Sequence, residues 1–123
     1  MTILLSTLLA GFSDRAEVLR GLTPRVEEAG TSRTLGTADN GTNLIMTNTA
    51  LCTITLAATA LPLTQVVIDN LGTGGVMLVE AAGATLQSIL GYTGVTPGGT
   101  VVLRVVENAD DASAVWKLTG EGE

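Results

Sequence analysis

From residue 34 onward, apolar and polar residues alternate with a period of two, and turn-forming residues interrupt the alternation at short intervals. The clearest example is residues 51–56, where Cys52, Ile54 and Leu56 face one way and two threonines face the other. Such a segment buries one face of a strand, and no helical pattern of ten residues separates one strand from the next. The alternation therefore predicts an all-β domain.

The spacing of the turns predicts about seven strands of five or six residues. Asp39, Asn40 and Gly41 form a tight turn signal, because Asn and Gly tolerate a positive φ angle. Without helical crossovers, we expect the strands to pair antiparallel in a sandwich of jelly-roll type. The predicted strands are residues 44–47, 51–56, 65–70, 76–80, 85–86, 100–106 and 114–119.

A change in charge and in glycine content near residues 30–33 divides the chain. The first 33 residues carry four acids and four arginines, whereas the eight acids that follow are accompanied only by Arg104 and Lys117, so this part holds the whole net charge of −6. We therefore expect an N-terminal arm over residues 1–30 and an acidic β-domain over residues 31–123.

The arm contains the most hydrophobic run of the chain, residues 3–12. Four leucines in this run follow helical spacing and form one apolar stripe, which predicts short helices. Ten residues are too few to cross a bilayer, so we expect no membrane partner. Two interpretations remain open: the stripe packs on the chain's own domain, or it docks on a partner or on copies of itself. The candidate partner-binding residues are Leu4, Leu5, Leu8, Leu9 and Phe12.

The composition excludes several classes of function. The chain has no histidine and a single cysteine, so it lacks the residues for a Ser-His-Asp triad, a His-based metal site or an internal disulfide. Its acidic balance disfavours nucleic-acid binding, which needs clustered Lys and Arg. We therefore predict no cofactor, no metal and no catalytic residues.

The remaining reactive side chains have structural explanations. Cys52 lies on the apolar side of its strand, which predicts a buried, inert thiol. The glycines of residues 72–75 connect two strands without the lysine of a phosphate loop, so we expect a hairpin turn. The acids match no calcium-loop spacing, and we expect solvated turn acids rather than a catalytic pair. They are Asp69, Glu80, Glu107, Asp110 and Asp111.

An alternative function is a carbohydrate-binding module in which Trp116 or Tyr92 stacks on a sugar ring. The chain has one Trp, one Tyr and one Phe, whereas such sites usually present two or three aromatic side chains. For Trp116 we expect a place in the core or in a subunit contact instead.

Short motifs occur in a characteristic order over residues 34–120. They are TLGTADNG at 34–41, ITL at 54–56, LP at 61–62, VIDNLGTG at 67–74, AGATL at 82–86, GTVVL at 99–103 and WKLTG at 116–120. This order resembles a small β-module of tailed-bacteriophage structural proteins, found in tail-fibre, head-fibre and capsid-decoration chains.

The resemblance implies a non-enzymatic virion structural protein. It implies a capsid decoration (cement) or head-fibre subunit, assembled in the host cytoplasm as a homotrimer on a major capsid or other virion protein. Since that module has no defined catalytic set, no functional residue carries over. On this interpretation the arm mediates trimerisation or anchoring, and the β-domain is the exposed body.

Overall fold

The computed structural model describes residues 25–123. Residues 1–24 of the predicted helical arm lie outside the described residues. All five candidate partner-binding residues belong to this part of the arm. The described part contains ten strands and one short 3-10 helix at Thr37–Asp39. The strands are β1 (Arg25–Glu28), β2 (Ser32–Leu35), β3 (Thr42–Met46), β4 (Cys52–Leu56), β5 (Gln65–Asn70), β6 (Val76–Glu80), β7 (Thr85–Ser88), β8 (Gly94–Val95), β9 (Thr100–Glu107) and β10 (Val115–Gly120).

The strands form two sheets with one hydrophobic core. The larger sheet has the order β1-β3-β5-β9-β10-β7, and the smaller has the order β2-β4-β6-β8. Alternate residues of both sheets belong to a single buried cluster, which includes Leu44 and Val66 from the larger sheet and Ile54 and Leu78 from the smaller. The prediction of an all-β domain is confirmed.

The expected antiparallel jelly-roll pairing is wrong. β1, β3 and β5 run parallel in one sheet, and β2, β4 and β6 run parallel in the other. Parallel strands need a crossover connection, which is usually an α-helix. Here a strand of the opposite sheet is the crossover, so the chain alternates between the sheets. The glycine turn at residues 72–75 therefore joins the two sheets and is not the expected hairpin turn. We call β1 to β6 the parallel coil.

Antiparallel pairing is confined to the strands around β8 and β9. β9 pairs antiparallel with β5 and with β10, and β8 pairs antiparallel with β6. β7 then pairs parallel with β10 and closes the far edge of the larger sheet. Both sheets are therefore mixed.

All seven predicted strands are present, and three more accompany them. The additional strands β1, β2 and β8 are only two to four residues long, and each lies at the edge of a sheet. Short edge strands carry too few residues for a period-two pattern. β1 falls within the predicted arm 1–30, yet its residues pair in register with β3.

One end of the parallel coil is a stack of tightly packed loops. The loops after β1, β3 and β5 lie on one another, with the Asn48 side chain donating a hydrogen bond to Ala29 O at 2.8 Å. A Cβ on Gly72 would lie 2.0 Å from Asn48 O, and one on Gly74 would lie 2.1 Å from Ala50 O. These two positions therefore require glycine, whose lack of a side chain lets the loops approach at strand spacing.

The opposite end of the coil is joined by side chains that bond to the backbone of the next loop. Thr37 Oγ1 accepts a hydrogen bond from Leu61 N at 2.9 Å, and Asn40 Oδ1 accepts one from Gln65 N at 2.9 Å. The predicted turn at Asp39-Asn40-Gly41 is confirmed, with Gly41 at φ 79°. These bonds satisfy loop amides that have no strand partner.

We expect Gly72→Ala to lower the free energy of unfolding by about 2 kcal/mol, because the new methyl group overlaps the Asn48 carbonyl and separates the stacked loops. Urea denaturation followed by circular dichroism measures this loss. The matched control is Gly36→Ala, whose Cβ would meet Ala57 Cβ at an ordinary 3.8 Å. Equal stability of the two variants would contradict the close packing.

Candidate functional site

An ion-pair cluster holds the first turn of the parallel coil together. Arg33 contacts Glu28 Oε1 at 3.2 Å and Asp39 Oδ1 at 2.8 Å, which joins β2 to β1 and to the 3-10 helix. Glu28 Oε2 also accepts a hydrogen bond from Gly30 N at 3.0 Å, and Asp39 Oδ2 accepts one from Gly36 N. Every carboxylate oxygen of the cluster is bonded within the fold, so we assign it a structural role.

The same contacts shift the ionisation of both partners in the pair. The Gly30 amide, and after it the Arg33 guanidinium, lower the pKa of Glu28 below its usual value. The carboxylates of Asp39 and Glu28 raise the pKa of Arg33. Both shifts favour the charged pair.

Because the pKa of Glu28 is lower in the folded chain than in the unfolded chain, its contribution to stability is present above about pH 4.5 and is lost as the pH falls through the folded value. We expect Glu28→Gln to lower the unfolding free energy by about 1 kcal/mol at pH 7. The difference in unfolding free energy between this variant and wild type should shrink as the pH falls below about 4.5, measured by urea titrations.

The matched control is Glu27→Gln, since Glu27 forms an exposed pair with Arg25 on the same strand. We expect that variant to stay within about 0.5 kcal/mol of wild type. A stability difference for Glu28→Gln that is constant with pH would contradict the assigned ion pair.

Cys52 is buried, as predicted. Its Sγ lies 3.4 Å from Ala50 O and 3.6 Å from Gly30 O. Burial, and to a lesser extent the negative charge of Glu28, raise the pKa of the thiol. A raised pKa disfavours the thiolate, which is the nucleophilic form.

The candidate acids are dispersed, and several are tied to separate parts of the backbone. Asp69 accepts a hydrogen bond from the Thr100 hydroxyl, and Glu80 accepts one from Leu86 N at 2.6 Å. Asp110 accepts hydrogen bonds from the Ser113 hydroxyl and from Ala112 N within its turn, which lower its pKa. Over residues 25–123 no three His, Cys, Asp or Glu side chains lie close enough to hold a metal ion.

The two candidate aromatic platforms differ in exposure. Trp116 is completely buried, and its Nε1 donates a hydrogen bond to Ala57 O at 3.0 Å. Its place in the core is confirmed, and the alternative in which its ring stacks on a sugar is wrong for this residue. Tyr92 is half-buried and lines a surface groove of about 660 Å³.

This groove lies at the β7 edge of the larger sheet, and two smaller hollows adjoin it. Their volumes are about 240 and 160 Å³, and Lys117 lines all three. The main groove has a mixed lining, which is Leu86, Gln87, Ser88, Ile89, Gly91, Tyr92, Thr93 and Lys117. We call the main groove the Tyr92 groove.

The sheet register aligns four polar side chains across the outer face beside the Tyr92 groove. Gln65 pairs with Arg104, Arg104 with Lys117, and Lys117 with Gln87. All four side chains are exposed. Two cations thus lie directly opposite each other, with Cβ atoms about 4.5–5.5 Å apart, an arrangement that destabilises a sheet when nothing neutralises it.

Sequence reasoning missed this row. Arg104 and Lys117 were visible as the only cations after residue 33, but their pairing depends on the register of β9 with β10, including the bulge between Val115 and Trp116. Gln65 and Gln87 carry no signal of their own.

A comparison with models of known protein families finds no match, and a search of curated proteins finds no similar sequence. Within the described part of the chain, no helix has the length and apolar character needed to cross a membrane.

Proposed function

We propose that this chain is a non-enzymatic structural protein of a tailed-phage virion, a capsid decoration (cement) or head-fibre subunit. In this proposal the N-terminal segment joins the chain to other copies, as a homotrimer, or to a major capsid or other virion protein. The order of motifs over residues 34–120 supports this assignment. The described β-domain supports it further through an apolar surface at one corner.

The single observation that carries the proposal is the surface at the point where the arm joins the domain. β1, β3 and β5 are parallel, so Arg25 begins β1 at the same end of the sheet where Gln65 begins β5. The loop that leads into β5 carries two exposed leucines, Leu61 at 46% and Leu63 at 80%. The described chain therefore begins at the same end of the sheet as these leucines, and we call this end the entry corner.

Leu63 is held in an unfavourable backbone conformation at this corner. Its φ angle is 72°, in the left-handed region that a side chain with a Cβ adopts at a cost of about 1–2 kcal/mol. Its N–H donates a hydrogen bond to Val105 O at 3.0 Å, which holds the loop in place. A strained, solvent-exposed leucine adds nothing to the described core, and a partner that buries it explains its presence.

The energy available from such an interface is sufficient for assembly. Burying one leucine side chain contributes about 1.5–3 kcal/mol, so the arm leucines together with Leu61 and Leu63 would supply several kcal/mol per copy. In a trimer this contribution is multiplied by avidity.

We expect Leu63→Asn to separate stability from assembly. Asn adopts the left-handed conformation more readily than Leu, so the free energy of unfolding should stay the same or rise. Self-association, measured by analytical ultracentrifugation, should weaken at least about tenfold, since the apolar contact is lost. Leu71→Asn is the control, because Leu71 is 63% exposed at the opposite end of the coil. Equal effects of the two variants would contradict the role of the entry corner.

Replacement of Leu4, Leu5, Leu8 and Leu9 by serine in the full chain should convert the assembled protein to a monomer. Light scattering should give three times the 12.5 kDa chain mass for wild type and a single chain mass for the variant. Circular dichroism should show the same strand content in both. A wild-type monomer, or a variant that remains trimeric, would contradict the proposed role of the arm.

A further inference from the structure

The pair Arg104 and Lys117 differs from the other cations of residues 25–123 in having no ion-pair partner within that range. The ion pairs found over this range involve only Arg25 and Arg33. Arg104 and Lys117 instead lie opposite each other on β9 and β10, and both side chains are exposed. Two like charges that form no ion pair with any described residue therefore lie side by side on a chain whose net charge is −6.

The neighbouring rows of the same outer face carry one acid. On one side the sheet register aligns Val67, Val102 and Thr119. On the other side it aligns Glu107, Val115 and Thr85, and Val106 is the extra residue of the bulge in β9. Over residues 25–123 Glu107 forms no ion pair with either cation, and a hollow of about 160 Å³ is lined by both Arg104 and Lys117.

The Tyr92 groove continues from this hollow through Lys117. Its volume of about 660 Å³ falls in the range of small-molecule sites, and Tyr92 contributes a half-buried ring. Gln87, Ser88 and Thr93 add neutral amide and hydroxyl groups that can donate and accept hydrogen bonds. The site therefore combines two cations that can bind an anion, an aromatic ring, and amide and hydroxyl groups that can hydrogen-bond to the hydroxyls of a ligand.

We propose that the Tyr92 groove binds an acidic saccharide, with the carboxylate of a hexuronate unit between Arg104 and Lys117. A neighbouring sugar ring lies against Tyr92, and its hydroxyls bond to Gln87 and Ser88. This inference goes beyond the proposed structural role and does not depend on it. It adds glycan adhesion, and the ligand class follows from the charge pair, which a neutral sugar would leave unneutralised.

The charge pattern favours this ligand over a nucleic acid. A polyphosphate backbone needs cations repeated along its path, whereas this site has two cations within an acidic chain. A single carboxylate flanked by uncharged hydroxyls matches the two cations and the neutral lining.

The test is titration of the full-length protein with trigalacturonate and with the neutral trisaccharide galactotriose at low salt, followed by calorimetry and by amide chemical shifts. We expect trigalacturonate to bind with a millimolar or lower Kd, and galactotriose to bind at least tenfold more weakly. The double variant Arg104→Gln/Lys117→Gln should weaken trigalacturonate binding at least tenfold. Both side chains are exposed, so this variant should fold as wild type does.

Two further variants test the contribution of the aromatic ring and the effect of a cation outside the site. Tyr92→Leu keeps apolar packing against the core but loses the ring, and it should weaken binding at least threefold. Arg25→Gln removes a cation at the opposite edge of the same sheet, and it should leave the Kd unchanged.

Three results would overturn the proposal. One is equal affinity for the charged and the neutral trisaccharide. Another is binding of acetate ion alone with the affinity of trigalacturonate, which would make the site an anion site without saccharide recognition. The last is trigalacturonate binding that the double variant retains, or no binding at 20 mM ligand.

Discussion

The close stacking of loops at the ends of the parallel coil is the constraint on which the rest of the fold depends. Neighbouring strands in a sheet lie about 4.8 Å apart, so the loops that follow them must lie equally close. Gly72 and Gly74 permit this approach against the Asn48 and Ala50 carbonyls. Side chains such as Thr37 and Asn40 bond the loop amides at the other end. Once the loops stack, the strands between them are aligned in parallel and in register.

That register determines which side chains share a surface. It brings the core residues of both sheets into one buried cluster, which includes Trp116. It also aligns Arg104 with Lys117, and Lys117 with Gln87, on the outer face. The entry corner is a consequence of the same alignment, because the parallel strands begin at one end of the sheet. The Tyr92 groove lies at the β7 edge of the larger sheet, whereas the entry-corner leucines lie beside β5 and β9 in the middle of the sheet, where Leu63 N bonds to Val105 O.

The proposed anchor and the proposed ligand groove use different side chains, and the entry corner adjoins the cation row where β5 pairs with β9. In our proposal the arm and the entry corner join the subunit to its particle, and the Tyr92 groove binds glycans. The two proposals are independent, since one depends on leucines and the other on a pair of cations.

The sequence predicted the strands better than their pairing. Alternation in segments such as residues 51–56 reports that one face is buried, and it does so equally for parallel and antiparallel neighbours. The parallel coil was missed because its crossovers are strands, whereas the usual crossover is a helix. The burial of Cys52 and Trp116 was predictable from their apolar neighbours. The row from Gln65 to Gln87 was not, because it depends on the register of four strands and on one bulge.

Cross-strand nuclear Overhauser effects in the full-length protein test the parallel coil most directly. We expect backbone protons of Thr42 to contact those of Val66 and those of Met46 to contact those of Asn70, since β3 and β5 are parallel. We expect matching contacts of Trp116 with Leu86 and of Leu118 with Ser88. Contacts between Met46 and Val66, together with strong Hα–Hα contacts between β3 and β5, would show antiparallel pairing and contradict the fold.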